Sequence, residues 1–347
     1  MATAWFILLG FMLIVYVVLD GFDLGAGAVH LFVARGDAER RTVIAAIGPV
    51  WDGNEVWLIA AGGLLVFAFP RVYAVAFSGF YLPLMLVLWL LVLRGISIEL
   101  RSHHAEPLWR QFFDVLFAIS SAVLALVLGV ALGNILRGVP IDHTGFFGAP
   151  LFTNFGLGGE LGAIDWYTLS VGLFALTVLG AHGAMYLRWK TAGAVNARAT
   201  QVAWWSWGAS AVLAIAVTIE TAGVTPELLA NLASRPLLWL VPAAVIAGFV
   251  LVFVALVRGW ELRGFIASSL VIASLLGMTA GALYPVILRS TVDPRFSLDV
   301  AATANNDHSL AIGLGWWIPA TVLAIGYFAY LFRSFRGKVG PPADDHG

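Results

Sequence analysis

Gly48-Pro-Val-Trp-Asp-Gly-Asn-Glu-Val-Trp57 opens a strongly apolar segment, yet it places Asp52, Asn54 and Glu55 between two tryptophans. Ionisable side chains inside lipid-spanning helices are costly and rare, so each one is a candidate functional residue. The apolar segment that precedes this stretch holds a second acidic pair, Asp20 and Asp23. Two successive apolar segments therefore carry four carboxylates, and the rest of the chain is interpreted around them.

The composition is that of an integral membrane protein. Of the 347 residues, 61% are hydrophobic and 11% are charged, whereas soluble domains carry about 25% charged residues. The absence of cysteine excludes disulfides, thiolate haem ligation and cysteine-ligated iron–sulfur clusters. A net charge of −1 gives no indication of a nucleic-acid partner. The N-terminus lacks a basic region and a cleavage site, so it is interpreted as a retained first span.

Apolar runs of about 20 residues predict an all-α fold with nine transmembrane helices. The predicted spans are 4–33, 46–68, 74–98, 112–136, 166–187, 200–222, 236–257, 264–288 and 311–332. Residues 1–336 are expected to form a single polytopic membrane domain. The Gly- and Pro-rich residues 337–347 are expected to be a disordered cytoplasmic tail.

The positions of lysine and arginine predict the orientation. With the N-terminus outside, 14 of the 19 basic residues face the cytoplasm. The five on the outer side are Arg71, Arg137, Arg235, Arg289 and Arg295. Basic residues concentrate in cytoplasmic loops, so the N-terminus is predicted outside and the C-terminus in the cytoplasm.

The ionisable residues of the first three spans are expected to share one layer near the cytoplasmic side. Asp20 and Asp23 are three residues apart, as are Asp52 and Glu55, so each pair lies on one helix face. The third span brings Arg94 and Glu99 to the same level. Such a layer is typical of the entry to a proton path.

The alternative is that these carboxylates have only a structural role and offset the charge of helix dipoles or of nearby cations. Asp52 and Glu55 lie near a helix N-terminus, with Pro49 expected in its first turn, where negative charge offsets the helix dipole. The other acids can pair with Arg94. His182, late in the fifth span, is interpreted as a hydrogen-bonded packing residue, and Asp114 as the partner of a nearby arginine. Structural roles are assigned to Trp51, Asn54, Arg94 and His182.

Six motifs resemble subunit II of the cytochrome bd-type quinol oxidases. They are Asp20-Gly-Phe-Asp-Leu-Gly25, the 48–57 stretch, Ala74-Val-Ala-Phe-Ser-Gly-Phe-Tyr81, Gly133-Asn-Ile-Leu-Arg-Gly-Val-Pro140, His182-Gly-Ala-Met-Tyr-Leu187 and Leu283-Tyr-Pro-Val-Ile-Leu-Arg-Ser-Thr291. The resemblance covers nearly the whole chain.

The resemblance implies a fold of two four-helix bundles plus one extra helix in a bacterial plasma membrane. It also implies a partner, the haem-bearing subunit I with haem b and haem d, sometimes joined by a small single-span subunit. Together they would oxidise quinol and reduce dioxygen to water with protons from the cytoplasm, generating a proton-motive force. No haem is expected in this chain, although the family can hold a structural quinone here.

The resemblance also assigns roles to individual positions. Asp52 corresponds to the carboxylate that feeds the proton path, and Asp20 and Asp23 to the acidic pair of the first helix. Trp57 corresponds to the mouth of a dioxygen path in some members. Glu55 stands where other members carry glutamine, and position 99 is acidic in the family pattern.

Two other interpretations remain open from the residues alone. A proton-coupled secondary transporter also uses buried carboxylates, but it favours broken helices and an internal repeat, and neither is evident. An assembly scaffold without a proton role cannot be separated from the oxidase subunit by the residues themselves.

Overall fold

The computed structural model describes residues 1–156 and 162–340, and this part of the chain is almost entirely helical. The helices are α1 (Ala2–Val33), α2 (Asp37–Ile47), α3 (Trp51–Ala68), α4 (Pro70–Gly79), α5 (Tyr81–Leu100), α6 (Pro107–Arg137), α7 (Trp166–Lys190), α8 (Gly193–Val224), α9 (Pro226–Ala233), α10 (Leu240–Arg258), α11 (Glu261–Leu283), α12 (Val300–Thr303) and α13 (Asp307–Ser334). Short 3₁₀ turns cover Pro236–Trp239 and Pro294–Phe296. Strands β1 (Val286–Leu288) and β2 (Leu298–Asp299) pair antiparallel.

Within the described ranges, eight helices are long and apolar enough to cross a membrane. They are α1, α5, α6, α7, α8, α10 with its preceding 3₁₀ turn, α11 and α13. Helix α3, with 18 residues, is not among them because its first turns carry the polar cluster. The predicted count of nine spans is therefore not confirmed, nor is the division into two four-helix bundles and one extra helix.

Three predicted span boundaries are wrong, and proline accounts for two of the errors. The span predicted at 46–68 includes the end of α2 and a turn, and Pro49 precedes α3 instead of lying in its first turn. The span predicted at 264–288 ends at Leu283, because Pro285 cannot continue a helix and disfavours helical backbone at the residue before it. The span predicted at 74–98 is interrupted at Phe80, between α4 and α5.

Helices α1 and α7 form the centre of the molecule and cross in backbone contact. A Cβ atom built on Gly25 of α1 would lie 1.8 Å from the Leu179 carbonyl oxygen of α7. A Cβ atom on Gly183 would lie 2.1 Å from the Ala26 amide nitrogen. Small residues allow helices in lipid to approach this closely. Around this pair, α1 also packs on α3, α6 and α11, and α7 on α6 and α8.

The end of the molecule that carries α2, called the α2 end, is tied together by polar contacts. The Arg198 Nη2 atom of α8 lies 2.5 Å from Glu39 Oε2 of α2. This contact with Arg198 and the hydrogen bond from the Arg35 amide together lower the pKa of Glu39 to about 2. Val339 donates its amide to the Lys190 carbonyl at 2.7 Å. Part of the predicted disordered tail, 337–347, thus packs on α7, and 341–347 lie outside the described residues.

Candidate functional site

The site is built around Arg94, a fully buried guanidinium on α5. Its Nη1 donates to Asp20 Oδ1 of α1 at 2.7 Å, and its Nη2 donates to Glu55 Oε2 of α3 at 2.9 Å. A buried cation needs such partners because burying a charge without compensation is costly. One arginine therefore joins three helices. Tyr16, one turn before Asp20 on α1, is buried beside the Asp20 carboxylate.

Asp23 takes a different partner from Asp20, although the two lie one turn apart on α1. The Asn54 side-chain amide donates to Asp23 Oδ2 at 2.7 Å and approaches the Leu19 carbonyl at 3.5 Å. Both side chains of the Asp23–Asn54 pair are almost fully buried. Asn54 is thus the polar residue of the 48–57 stretch that is fully buried in the protein interior.

Asp52 and Glu99 lie on the surface of the chain rather than in the buried network. Asp52 is exposed in the first turn of α3, and Glu99 is exposed near the end of α5. Glu55 connects the two regions: its side chain is 22% exposed, it pairs with Arg94, and its charge interacts with that of Asp52. The carboxylates thus form a series from the surface to the interior, Asp52, Glu55 and Asp20, with Arg94 between the last two.

The two tryptophans of the stretch pack against different neighbours. Trp57 is 7% exposed and meets Phe328 of α13, with ring centroids 5.7 Å apart. Trp51 covers Gly95 of α5, where an added Cβ would lie 3.4 Å from the indole ring. Trp57 therefore lies inside the helix packing, about one and a half turns beyond Asp52.

His182 has both imidazole nitrogens engaged. Its Nδ1 lies 2.6 Å from Ser268 Oγ and its Nε2 lies 3.0 Å from the Val18 carbonyl oxygen. The side chain is fully buried and stacks on Phe265 at a centroid distance of 5.0 Å. This arrangement does not fit an axial haem ligand, because no ring nitrogen remains for the iron.

A second polar cluster, centred on Asp114 of α6, was only partly foreseen. Asp114 accepts two hydrogen bonds from Arg101, at 2.6 and 3.0 Å, one from Arg40 at 3.2 Å, and contacts His30 Nε2 at 2.8 Å. Asp37 extends the cluster because it accepts a hydrogen bond from Arg101 at 2.8 Å. The sequence suggested an arginine partner for Asp114. The participation of His30 and Arg40 depends on how α1 and α2 pack.

The ligand sets of metal sites are the relevant comparison for the described part of the chain. No group of three or more His, Cys, Asp or Glu residues in it could hold a metal ion. His30, the other buried histidine of the described residues, is held by Asp114 and has its ring against Phe117. The donor set therefore fits proton handling and charge pairing better than haem or metal ligation.

Comparison with known proteins establishes the family. A family model described as cytochrome bd terminal oxidase subunit II matches residues 1–335. The chain is a member of this family. It is 31% identical to the cytochrome bd-I ubiquinol oxidase subunit 2 of Escherichia coli K12, over 96% of this chain and 94% of that protein. It is 30% identical to the cytochrome bd ubiquinol oxidase subunit 2 of Bacillus subtilis, over 96% of each.

A solved structure shows the same fold. A chain of the bd oxidase from Geobacillus thermodenitrificans superposes with a TM-score of 0.71, at 20% identity, over 96% of this chain and 98% of that chain. The resemblance predicted from the six motifs is thereby confirmed. This subunit II is a multi-span membrane protein and part of a respiratory oxidoreductase, whose family name implies at least one partner subunit.

Proposed function

We propose that this subunit II binds no haem itself and supports a haem-bearing subunit I, which carries haem b and haem d. The complex would oxidise quinol and reduce dioxygen to water, using protons from the cytoplasm. The observation that supports a direct role for this chain is the series of carboxylates from exposed Asp52 through Glu55 to buried Asp20. Haems in the partner would supply the electron transfer and dioxygen chemistry.

The proposed proton path begins at Asp52. An exposed carboxylate can exchange protons with water, and Glu55 is the next carboxyl group inward. Arg94 holds Glu55 and Asp20 in fixed positions, so that the path has a defined inner end. Asp23 lies beside this inner end and accepts a hydrogen bond from the Asn54 side chain. Glu99 is proposed as a second surface carboxylate on the same end of the chain.

The proposed orientation places the α2 end in the cytoplasm, because basic residues concentrate there. An outside N-terminus and a cytoplasmic C-terminus require an odd number of crossings, so α3 is proposed as the ninth. Its 18 residues give about 27 Å, close to the hydrocarbon thickness of about 30 Å. A bacterial plasma membrane, a structural quinone and a small third subunit are further proposals that rest on the family.

A proton-coupled transporter is the less favoured function. Buried carboxylates would suit it as well, but the family match extends over residues 1–335 and leaves no separate transport domain. The oxidase therefore accounts for the whole chain.

Replacing Asp52 with asparagine is expected to slow quinol-dependent oxygen consumption by about tenfold or more, the low end for a lost acid–base group. The amide keeps the size of the side chain but cannot carry the proton. Because Asp52 is exposed and makes no side-chain hydrogen bond among the described residues, the complex should assemble with a normal absorption spectrum. Oxygen consumption by the purified complex, with stopped-flow proton uptake, measures the effect.

Asp52→Glu serves as the matched control and should recover part of the rate, because it restores a titrating carboxyl group. Full activity in Asp52→Asn would show that the residue is dispensable for proton supply. Failure of the two subunits to assemble would instead assign Asp52 a structural role at the start of α3.

Trp57→Ala is expected to change the apparent oxygen affinity more than the maximal turnover. Removing the indole opens space beside Phe328 in an apolar region, where dioxygen partitions readily. The apparent KM for oxygen, measured with a high-resolution respirometer, should shift, while the maximal turnover stays close to that of the parent complex. Unchanged oxygen dependence in the assembled variant would show that Trp57 only packs.

A further inference from the structure

A cleft of about 320 Å³ opens at the α2 end, and none of the carboxylates of the series lines it. The turn between α2 and α3 forms one wall, the end of α7 the second, and the end of α13 with residues 335–339 the third. The first wall is apolar and consists of Ala45, Ala46, Pro49 and Val50. Such a volume is large enough for a small ligand or a lipid headgroup.

The polar lining of the cleft is cationic. Lys190, Arg336 and Lys338 all line it, whereas no carboxylate among the described residues does. Lys338 pairs with Glu261 at 2.8 Å, but neither Lys190 nor Arg336 has a carboxylate partner in the described part of the chain. The cleft therefore carries an excess of about two positive charges, which favours an anionic ligand.

Lys190 is the buried, fixed cation of this site. The residue is 7% exposed, and its ammonium donates to the Phe335 carbonyl at 2.5 Å while lying 5.2 Å from the centre of the Trp189 ring. An ammonium group has three donors, so two remain for a ligand. The Val339 amide bonds to the Lys190 carbonyl and holds the 335–339 segment over the same place.

We propose that this cleft binds the headgroup of an anionic phospholipid from the leaflet at the α2 end. The phosphate contacts Lys190 and Arg336, and the acyl chains leave between Pro49 and Val50 of the first wall and Phe332 of the third. Lys190 ends a membrane-spanning helix and has a tryptophan beside it, so the cleft lies at interfacial depth. Anionic lipids of the cytoplasmic leaflet are attracted to basic residues at this depth.

The test uses the two-subunit complex, freed of lipid in neutral detergent and titrated with phosphatidylglycerol or phosphatidylcholine in native mass spectrometry. Phosphatidylglycerol should bind at one site more tightly than phosphatidylcholine. Removing one cleft charge, by Lys190→Gln or Arg336→Gln, should weaken that site about fivefold. Arg336, which is exposed, provides a second variant that keeps the buried contacts intact.

Arg263→Gln is the matched control, because Arg263 is an exposed cation at the same end but stacks on Trp260 outside the cleft. An equal loss of affinity in this control would overturn the proposal and indicate general charge attraction. Displacement by millimolar inorganic phosphate would reassign the site to a free anion. If lipid binds only after truncation at Gly340, residues 341–347, which include Asp344 and Asp345, occupy the cleft and the lipid assignment is wrong.

Discussion

Substituting alanine for Gly25 is expected to abolish the assembled oxidase. The added Cβ would sit 1.8 Å from the Leu179 carbonyl oxygen, and this neighbour is helix backbone that cannot rotate away. Overpacking of a core usually costs about 1–3 kcal/mol, and separating two central helices exceeds that range. The yield of the two-subunit complex from membranes should fall to background, together with quinol oxidase activity.

Gly208→Ala in α8 is the matched control, because nothing lies within 4 Å of its added Cβ. Alanine is also the better helix former by about 1 kcal/mol, so this variant should assemble at least as well as the parent chain. Gly183→Ala, which meets the Ala26 amide nitrogen from the other side of the crossing, should reproduce the Gly25 result. A normal yield of Gly25→Ala complex would show that α1 and α7 do not pack in this way.

Replacing Arg94 with leucine is expected to cost about 3–5 kcal/mol, the range measured when one partner of a buried ion pair is removed. The change leaves the Asp20 carboxylate buried without its cation. Asp20→Asn should cost less, because Arg94 keeps Glu55 as its counter-ion. The thermal inactivation temperature of the purified complex should therefore fall in the order parent, Asp20→Asn, Arg94→Leu.

The double variant Asp20→Asn, Arg94→Leu should recover part of the loss, because the two residues are coupled. Arg295→Leu is the control for an exposed ion pair. Its guanidinium contacts Asp293 at 2.7 Å with an 84% exposed side chain, and solvent-exposed pairs contribute little. If Arg94→Leu is no less stable than Arg295→Leu, the Asp20–Arg94–Glu55 network does not support the fold.

The all-α class and the long helices were predictable, because the length and hydropathy of apolar runs decide them. Apolar runs identified every long helix, and the three-residue spacing placed Asp20 and Asp23 on one face of α1. The interruption at Phe80 was missed because the prediction used hydropathy alone; Gly79 before it and Pro83 in the first turn of α5 were available signals of a helix end and a helix start. Local hydropathy does not report where a helix bends or restarts inside an apolar run.

Rotation about the helix axis limits what the sequence tells about the site. Asp52, Asn54 and Glu55 follow one another at about 100° per residue, so only some of them can face inward. The packing of α3 on α1 turns Asn54 inward and leaves Asp52 exposed. No pattern in the 48–57 stretch distinguishes these choices. Tyr16, four residues before Asp20, shares its helix face, and that spacing was an available signal.

The order of synthesis along the chain determines when each of the two buried charge clusters can be completed. Ribosomes deliver the N-terminal residues first, so Asp20 and Glu55 enter the membrane before Arg94, their shared counter-ion. In the other cluster His30, Arg40 and Arg101 all precede Asp114. Each cluster is thus completed by its last-made member. Insertion of α5 and then α6 therefore supplies the last member of both clusters before α7 exists, whereas the Glu39 pair at the same end waits for Arg198 of α8.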